Sequence, residues 1–129
     1  MTFINMPLSE AKPPEPVPEG LYNLLIEAVD KIEEPDGKIY LQIRHSVIGE
    51  PEAGAVFHRL GITLADDPNK AKWAMLFIKA YLKVFDFPYS GNGWDDEEVI
   101  PGAQAECFLE RTEWQGVVSN RIKLDPNKV

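Results

Sequence analysis

Sulfhydryl chemistry is almost absent from the chain: one cysteine, Cys107, in 129 residues. It cannot form an internal disulfide, and a cysteine-based metal site needs several more thiols. In the run Ala105-Glu106-Cys107-Phe108-Leu109 it reads as a small buried hydrophobe of a protein kept in a reducing compartment. Histidine is nearly as scarce. His45 and His58 are the only two, both interleaved with core-type residues, which leaves little for imidazole catalysis. No stretch approaches the ~20 apolar residues that span a bilayer. The opening MTFINMPLSEAKPP has no basic region followed by an apolar run, so a signal peptide is not expected and a cytoplasmic setting is. No glycine-rich phosphate loop precedes a helix and no nucleophile–base spacing stands out. Asp95-Asp96-Glu97-Glu98 lacks the glycine spacing of a calcium loop. The expectation is a protein that is not an enzyme and uses no metal or cofactor. Positive charge is also short, with 13 Lys and Arg against 21 Asp and Glu and a net charge of −8. Any contact with a polyanion must therefore concentrate its cations locally.

What is present divides into an arm and one domain. Residues 1–18 hold five prolines, at positions 7, 13, 14, 16 and 18, and read as an extended, loosely packed arm. Residues 19–126 read as one folded unit. The first strand, Leu21 to Glu33, places Tyr22, Leu24, Ile26 and Ala28 on one face by period-two alternation. Glu34-Pro35-Asp36-Gly37 is a turn signal. In the second strand, Lys38 to Gly49, Ile39, Leu41, Ile43 and Val47 point one way with His45. Tyr40, Gln42, Arg44 and Ser46 point the other. The third strand, Ala55 to Leu64, sets Val56, His58, Leu60, Ile62 and Leu64 against Phe57, Arg59 and Thr63.

Asp66-Asp67-Pro68 starts the one clear helix, with Asp67 as N-cap and Pro68 at the first helical position. It is expected over residues 68–85, burying a stripe of Trp73, Phe77, Ala80, Tyr81 and Val84 that Ala74, Ile78 and Phe85 widen. Lys72, Lys79 and Lys83 form an opposite, solvated face. A glycine-rich loop with Trp94 and four acids follows. The last hairpin joins residues 103–113 to residues 116–124 through Trp114-Gln115-Gly116. The order strand, strand, strand, helix, strand, strand predicts a mainly β (α+β) fold. Its leading candidate is a five-stranded OB-fold Greek-key barrel with one helix between strands three and four, although other five-stranded α+β folds fit the same string.

The segments PEGLYNLLIEAVDKIE, YLQIRHSVIG, GAVFHRLGITLADDPNKAKWAMLFIKAYLKVFDFP and PGAQAECFLERTEWQGVVSNRIKLDP carry a resemblance that covers Pro18 to Pro126. The chain resembles a family of small bacteriophage proteins regarded as single-strand-binding-like OB proteins. Their genes tend to lie beside phage recombination and replication genes. The resemblance implies single-stranded DNA as ligand, phage recombination or replication proteins as partners, and the cytoplasm of an infected bacterial host as location. The acidic carboxyl-terminal tail by which many bacterial single-strand-binding proteins recruit partners has no counterpart in Leu124 to Val129.

Single-strand binding needs cations along the backbone and aromatic faces for the bases. Alternation sends Tyr40 and Arg44 out from strand two, and Phe57 and Arg59 out from strand three. Lys38 lies at the first turn and Trp114 at the tip of the last. Arg111, Arg121 and Lys123 are expected on one side of the final hairpin. Each has a plainer explanation: Tyr40 and Phe57 as cover for an apolar layer under the arm or a partner subunit, the arginines as partners of nearby glutamates. The rival function is an acidic protein-interaction or structural adaptor without nucleic-acid binding. It is favoured by the charge of −8, the proline-rich arm, and Trp94 and Trp114, both expected to be exposed. Self-association through incompletely closed edge strands, giving a homo-oligomer, is expected on either reading.

Overall fold

A computed structural model describes residues 2–129. The chain forms β1 (Gly20–Glu33), β2 (Ile39–Val47), β3 (Val56–Gly61), α1 (Pro68–Val84), β4 (Tyr89–Ser90), β5 (Gly93–Trp94), β6 (Gln104–Trp114) and β7 (Val117–Lys123). The final hairpin expected from the sequence is β6–β7. The short β4–β5 hairpin occupies what reads as a loop. Five strands make one antiparallel sheet in the order β3-β2-β1-β6-β7. The edge strands β3 and β7 approach each other, yet no ladder joins them among the described residues.

Turn chemistry fixes this order. Gly37, at φ +88°, closes the β1–β2 connection. Gln115 and Gly116 both lie in the left-handed region, at φ +51° and +78°, as a two-residue hairpin loop requires. β1 serves two neighbours, pairing Gly20–Leu25 with β6 and Leu24–Glu33 with β2. A bulge between Ile26 and Ala28 marks the handover and breaks the expected alternation. Ala28 turns outward opposite Arg44, and Val29 takes the inward place opposite Ile43. The third strand is shorter than its apolar run. It stops at Gly61, where the amides of Ile62 and Thr63 both donate to the Ile39 carbonyl and Thr63 Oγ1 accepts from the Ile39 amide.

Leu24, Ile26, Leu41, Ile43, Leu60 and Leu109 form the centre of the core, and Cys107 is buried beside them, as expected. Burial pushes the Cys107 thiol up to about 12, with Glu106 adding to the effect, so it stays protonated and inert. Asp67 caps α1 as the sequence indicates, its Oδ1 accepting from the amides of Asn69 at 2.8 Å and Lys70 at 3.3 Å. The buried face of the helix is Ile78, Ala80, Tyr81 and Leu82 with the C-capping Phe85, which is only part of the expected stripe with Leu82 added. Trp73 is 51% exposed, and Phe77 and Val84 are also exposed. The helix is apolar around most of its circumference, and only one sector meets the sheet. Trp94 is half-buried against the core, which corrects its expected exposure.

The arm is better fixed at its end than its prolines suggest. Val17 is buried in the core. Its amide donates to Asn120 Oδ1 at 2.8 Å, and Asn120 Nδ2 donates back to the Val17 carbonyl at 3.0 Å. The Glu15 amide reaches the Glu52 carbonyl at 3.1 Å. Pro14 passes so close to Gly54 that an added Cβ there would meet the Pro14 Cβ at 3.0 Å. Pro14–Pro16, Gly54–Ala55 and Val118–Asn120 line one small cleft, so the arm's end lies where β3 and β7 come together.

Candidate nucleic-acid interface

Register brings four of the predicted residues onto one outer surface. Arg44 lies opposite Phe57 on β3 and opposite Ala28 on β1. Two pairs along, Gln42 lies opposite Arg59 and Asp30, and two further on Tyr40 lies opposite Gly61 and Ile32. The Arg59 guanidinium stands 4.7 Å above the Tyr40 ring, a cation–π contact that presents a flat, charged surface to solvent. Phe57 is 53% exposed, with nothing of the core above it. Arg44 is held by Glu27, the extra residue of the bulge, at 3.1 Å. Among the described residues Arg59 has no carboxylate at ion-pair distance. The surface therefore offers an aromatic platform, a stacked guanidinium, and a second guanidinium already countered by an acid.

The remaining predicted residues lie elsewhere. Lys38 is exposed at the β1–β2 turn, where its amide is taken by Asp36 Oδ1 at 3.0 Å. Trp114 is 74% exposed at the tip of the β6–β7 hairpin, paired across the strands with Val117. That hairpin flanks the amino end of β3, because Val118–Asn120 share a cleft with Ala55, two residues before Phe57. No ring contact or hydrogen bond joins Trp114 to the four-residue surface among the described residues. Arg121 forms an ion pair with Glu110, and the Lys123 ammonium lies 5.8 Å over the Phe108 ring.

Arg111 departs from expectation. The register pairs Glu110 with Arg121 and Arg111 with Asn120, so Arg111 occupies the face opposite to Arg121 and Lys123. Its guanidinium donates to the Val17 carbonyl at 3.1 Å and to the Pro16 carbonyl at 3.2 Å. Arg111 is thus committed to holding the arm. Counting residues from Arg121 misplaces it, because the two-residue loop sets the parity between the strands.

Behind this surface the two histidines share a buried polar cluster with the helix. They are diagonal neighbours rather than a facing pair, since His45 lies opposite Val56 and His58 opposite Ile43. Tyr81 joins them: its hydroxyl is 2.8 Å from His45 Nε2, and its ring stacks on His58 at 4.7 Å. Burial lowers the His45 pKa against a smaller opposing effect of the Val56 hydrogen bond. Burial, and then the nearby His45, bring His58 down to about 4. Burial pushes the Tyr81 hydroxyl well above its ordinary value. All three are neutral at pH 7 and act as structural groups.

Sequence reasoning missed Glu27, because a bulge is invisible to alternation. It also missed the β4–β5 hairpin, although Tyr89-Ser90-Gly91-Asn92-Gly93-Trp94 carries aromatics on both sides of a glycine-rich turn. The Asp95–Glu98 acids begin in a 3-10 turn capped by Asp95, and Asp96 pairs with Lys31 at 3.0 Å. The hydrogen bond from Lys31 holds the Asp96 carboxyl below its usual range. No group of three or more potential metal ligands occurs among the described residues. No helix is long and apolar enough to cross a membrane among those residues. Compared with known proteins, the chain matches no protein-family model and no curated protein sequence.

Proposed function

We propose that the chain is an OB-type barrel that binds single-stranded DNA across the outer face of β1, β2 and β3. The strand order β3-β2-β1-β6-β7, with β3 and β7 drawn together, supports the barrel reading. The observation that carries the binding reading is the exposed Phe57 beside Arg44, two register pairs from Arg59 stacked on Tyr40. Phe57 offers a base a face to stack on, and the guanidiniums offer the backbone two charges. Trp114 extends the site where a strand leaves the sheet toward the hairpin tip. Lys38, Arg121 and Lys123 contribute diffuse charge. Arg111 acts indirectly, by fixing the arm. The net charge of −8 sets a weak, salt-sensitive affinity. On the family resemblance the setting is the cytoplasm of a phage-infected bacterium, with recombination or replication proteins as partners.

A specific observation favours the rival adaptor reading: the exposed Trp73 and Phe77 lie one turn apart on α1 and face away from the sheet. A labelled oligothymidine of about 30 nucleotides, longer than the ~4–16 that one barrel covers, separates the two readings by fluorescence anisotropy. Binding to the single strand but not to duplex, weakening with salt by a slope of about −0.7 per phosphate contact, is the expected result. No binding even at low salt transfers the function to a protein partner.

A further inference from the structure

The first residues of the chain and one groove of the domain fit each other. Residues 2–9 carry no charged side chain. Phe3 is 86% exposed, and Ile4, Met6 and Leu8 stand in solvent with it. The hydrogen bonds of this segment among the described residues are all internal, around the 3-10 turn Leu8–Glu10. Four large apolar side chains in water seek burial.

Between α1 and the β4–β5 hairpin lies an open groove of about 380 Å³. Ile62, Leu64, Met75, Leu82, Tyr89 and Trp94 line it. Its one charged lining residue is Lys79, whose ammonium is 5.9 Å over the Tyr89 ring. An uncharged apolar segment suits the walls, and Glu10, the first charge after that segment, suits Lys79. The root of the segment is fixed at Val17 by Asn120 and Arg111, beside Gly54–Ala55 at the start of β3. The groove opens beyond the other end of β3, at Gly61–Leu64. Eleven residues from Phe3 to Pro13 reach at most ~40 Å when extended. The segment stands off its own groove, and that reach is ample for a neighbour's.

We propose that this groove receives the segment Phe3–Leu8 of a second copy of the chain, in a reciprocal exchange that makes a twofold dimer. Such an interface is isologous: each copy gives one segment and takes one, and the arrangement closes. It does not depend on nucleic-acid binding.

The test uses two full-length variants. One replaces Phe3, Ile4, Met6 and Leu8 by serine and keeps the groove. The other, Met75→Glu, keeps the segment and spoils the groove. Sedimentation equilibrium of the unmodified chain is expected to show a concentration-dependent rise to twice the monomer mass. Each variant alone is expected to stay monomeric, and their equimolar mixture to form a dimer. A labelled peptide of residues 2–11 is expected to bind the serine variant saturably, a reading that stands even if Met75→Glu does not fold. The proposal is overturned by an unmodified chain that is monomeric throughout, by a serine variant that still dimerises, or by a peptide that does not bind. Persistent dimerisation of the serine variant would point to the Trp73–Phe77 face instead.

Discussion

His45 and Tyr81 fix each other's proton. The Val56 carbonyl only accepts, so the His45 Nδ1 at 2.8 Å from it must carry the hydrogen. Nε2 is then an acceptor, and the Tyr81 hydroxyl at 2.8 Å donates to it. Every polar atom of a fully buried imidazole is satisfied in one tautomer, and no buried side-chain polar atom lacks a partner among the described residues.

Removing the donor leaves His45 Nε2 buried and unpaired. Tyr81→Phe keeps the ring that stacks on His58 and deletes only the hydroxyl. It is expected to lower stability by about 1–3 kcal/mol. A urea unfolding curve checks this, with a shifted midpoint and an unchanged slope.

The same cluster sets an acid limit. His58 falls to about 4 in the folded chain, against an ordinary value of 6.5, and His45 is lowered too. Between those values the unfolded chain binds more protons than the folded one, so stability falls as pH drops from 6.5 toward 4. Carboxylates contribute in the lower part of that window, so the comparison is with His58→Gln. The unmodified chain is expected to lose more stability than the variant between pH 7 and 5.

Phe57→Ala is expected to weaken single-strand binding by about 1–3 kcal/mol, the value of one stacked base. Arg59→Ala is expected to act through both the phosphate contact and the Tyr40 surface. Glu27→Gln is expected to tighten binding at low salt, because it releases Arg44 and removes an anion from the face. Anisotropy titrations at two salt concentrations read all three.

The carboxyl end of α1 carries an imperfect stop. Asp86, at φ +56°, occupies the left-handed position where glycine is favoured. The Phe87 amide donates to the Leu82 carbonyl at 2.8 Å and the Asp86 amide to that of Lys83 at 3.2 Å. A carboxylate here also opposes the negative end of the helix dipole. Asp86→Gly is expected to raise stability by roughly 0.5–1 kcal/mol in thermal unfolding, with no change in binding.

Much of this was legible in the sequence because it is local. Asp67-Pro68 named the helix start, Gln115-Gly116 the last turn, and period-two alternation put Tyr40, Arg44, Phe57 and Arg59 on one surface. Nonlocal features escaped. The bulge at Glu27 shifts the faces of β1 without a signal in residue type. The arm's attachment depends on Asn120 and Arg111, about a hundred positions away in the chain. Trp73 and Phe77 fit a buried stripe by spacing, but the helix is apolar on too many sides for spacing to choose which one meets the sheet. Arg111 looked like a phosphate ligand because a guanidinium that binds carbonyls and one that binds phosphates are the same residue type.

That long separation has a consequence for synthesis. Asn120 grips Val17 across 103 positions of sequence. While the chain emerges from a ribosome, the Val17 amide must wait for β7, the last strand of the sheet to be made. Until then β3 has β2 alone beside it, and the arm lacks its contacts with Asn120. The nascent domain spends most of its synthesis with that seam open, its β strands exposed to other chains, and closes only as the final hairpin arrives.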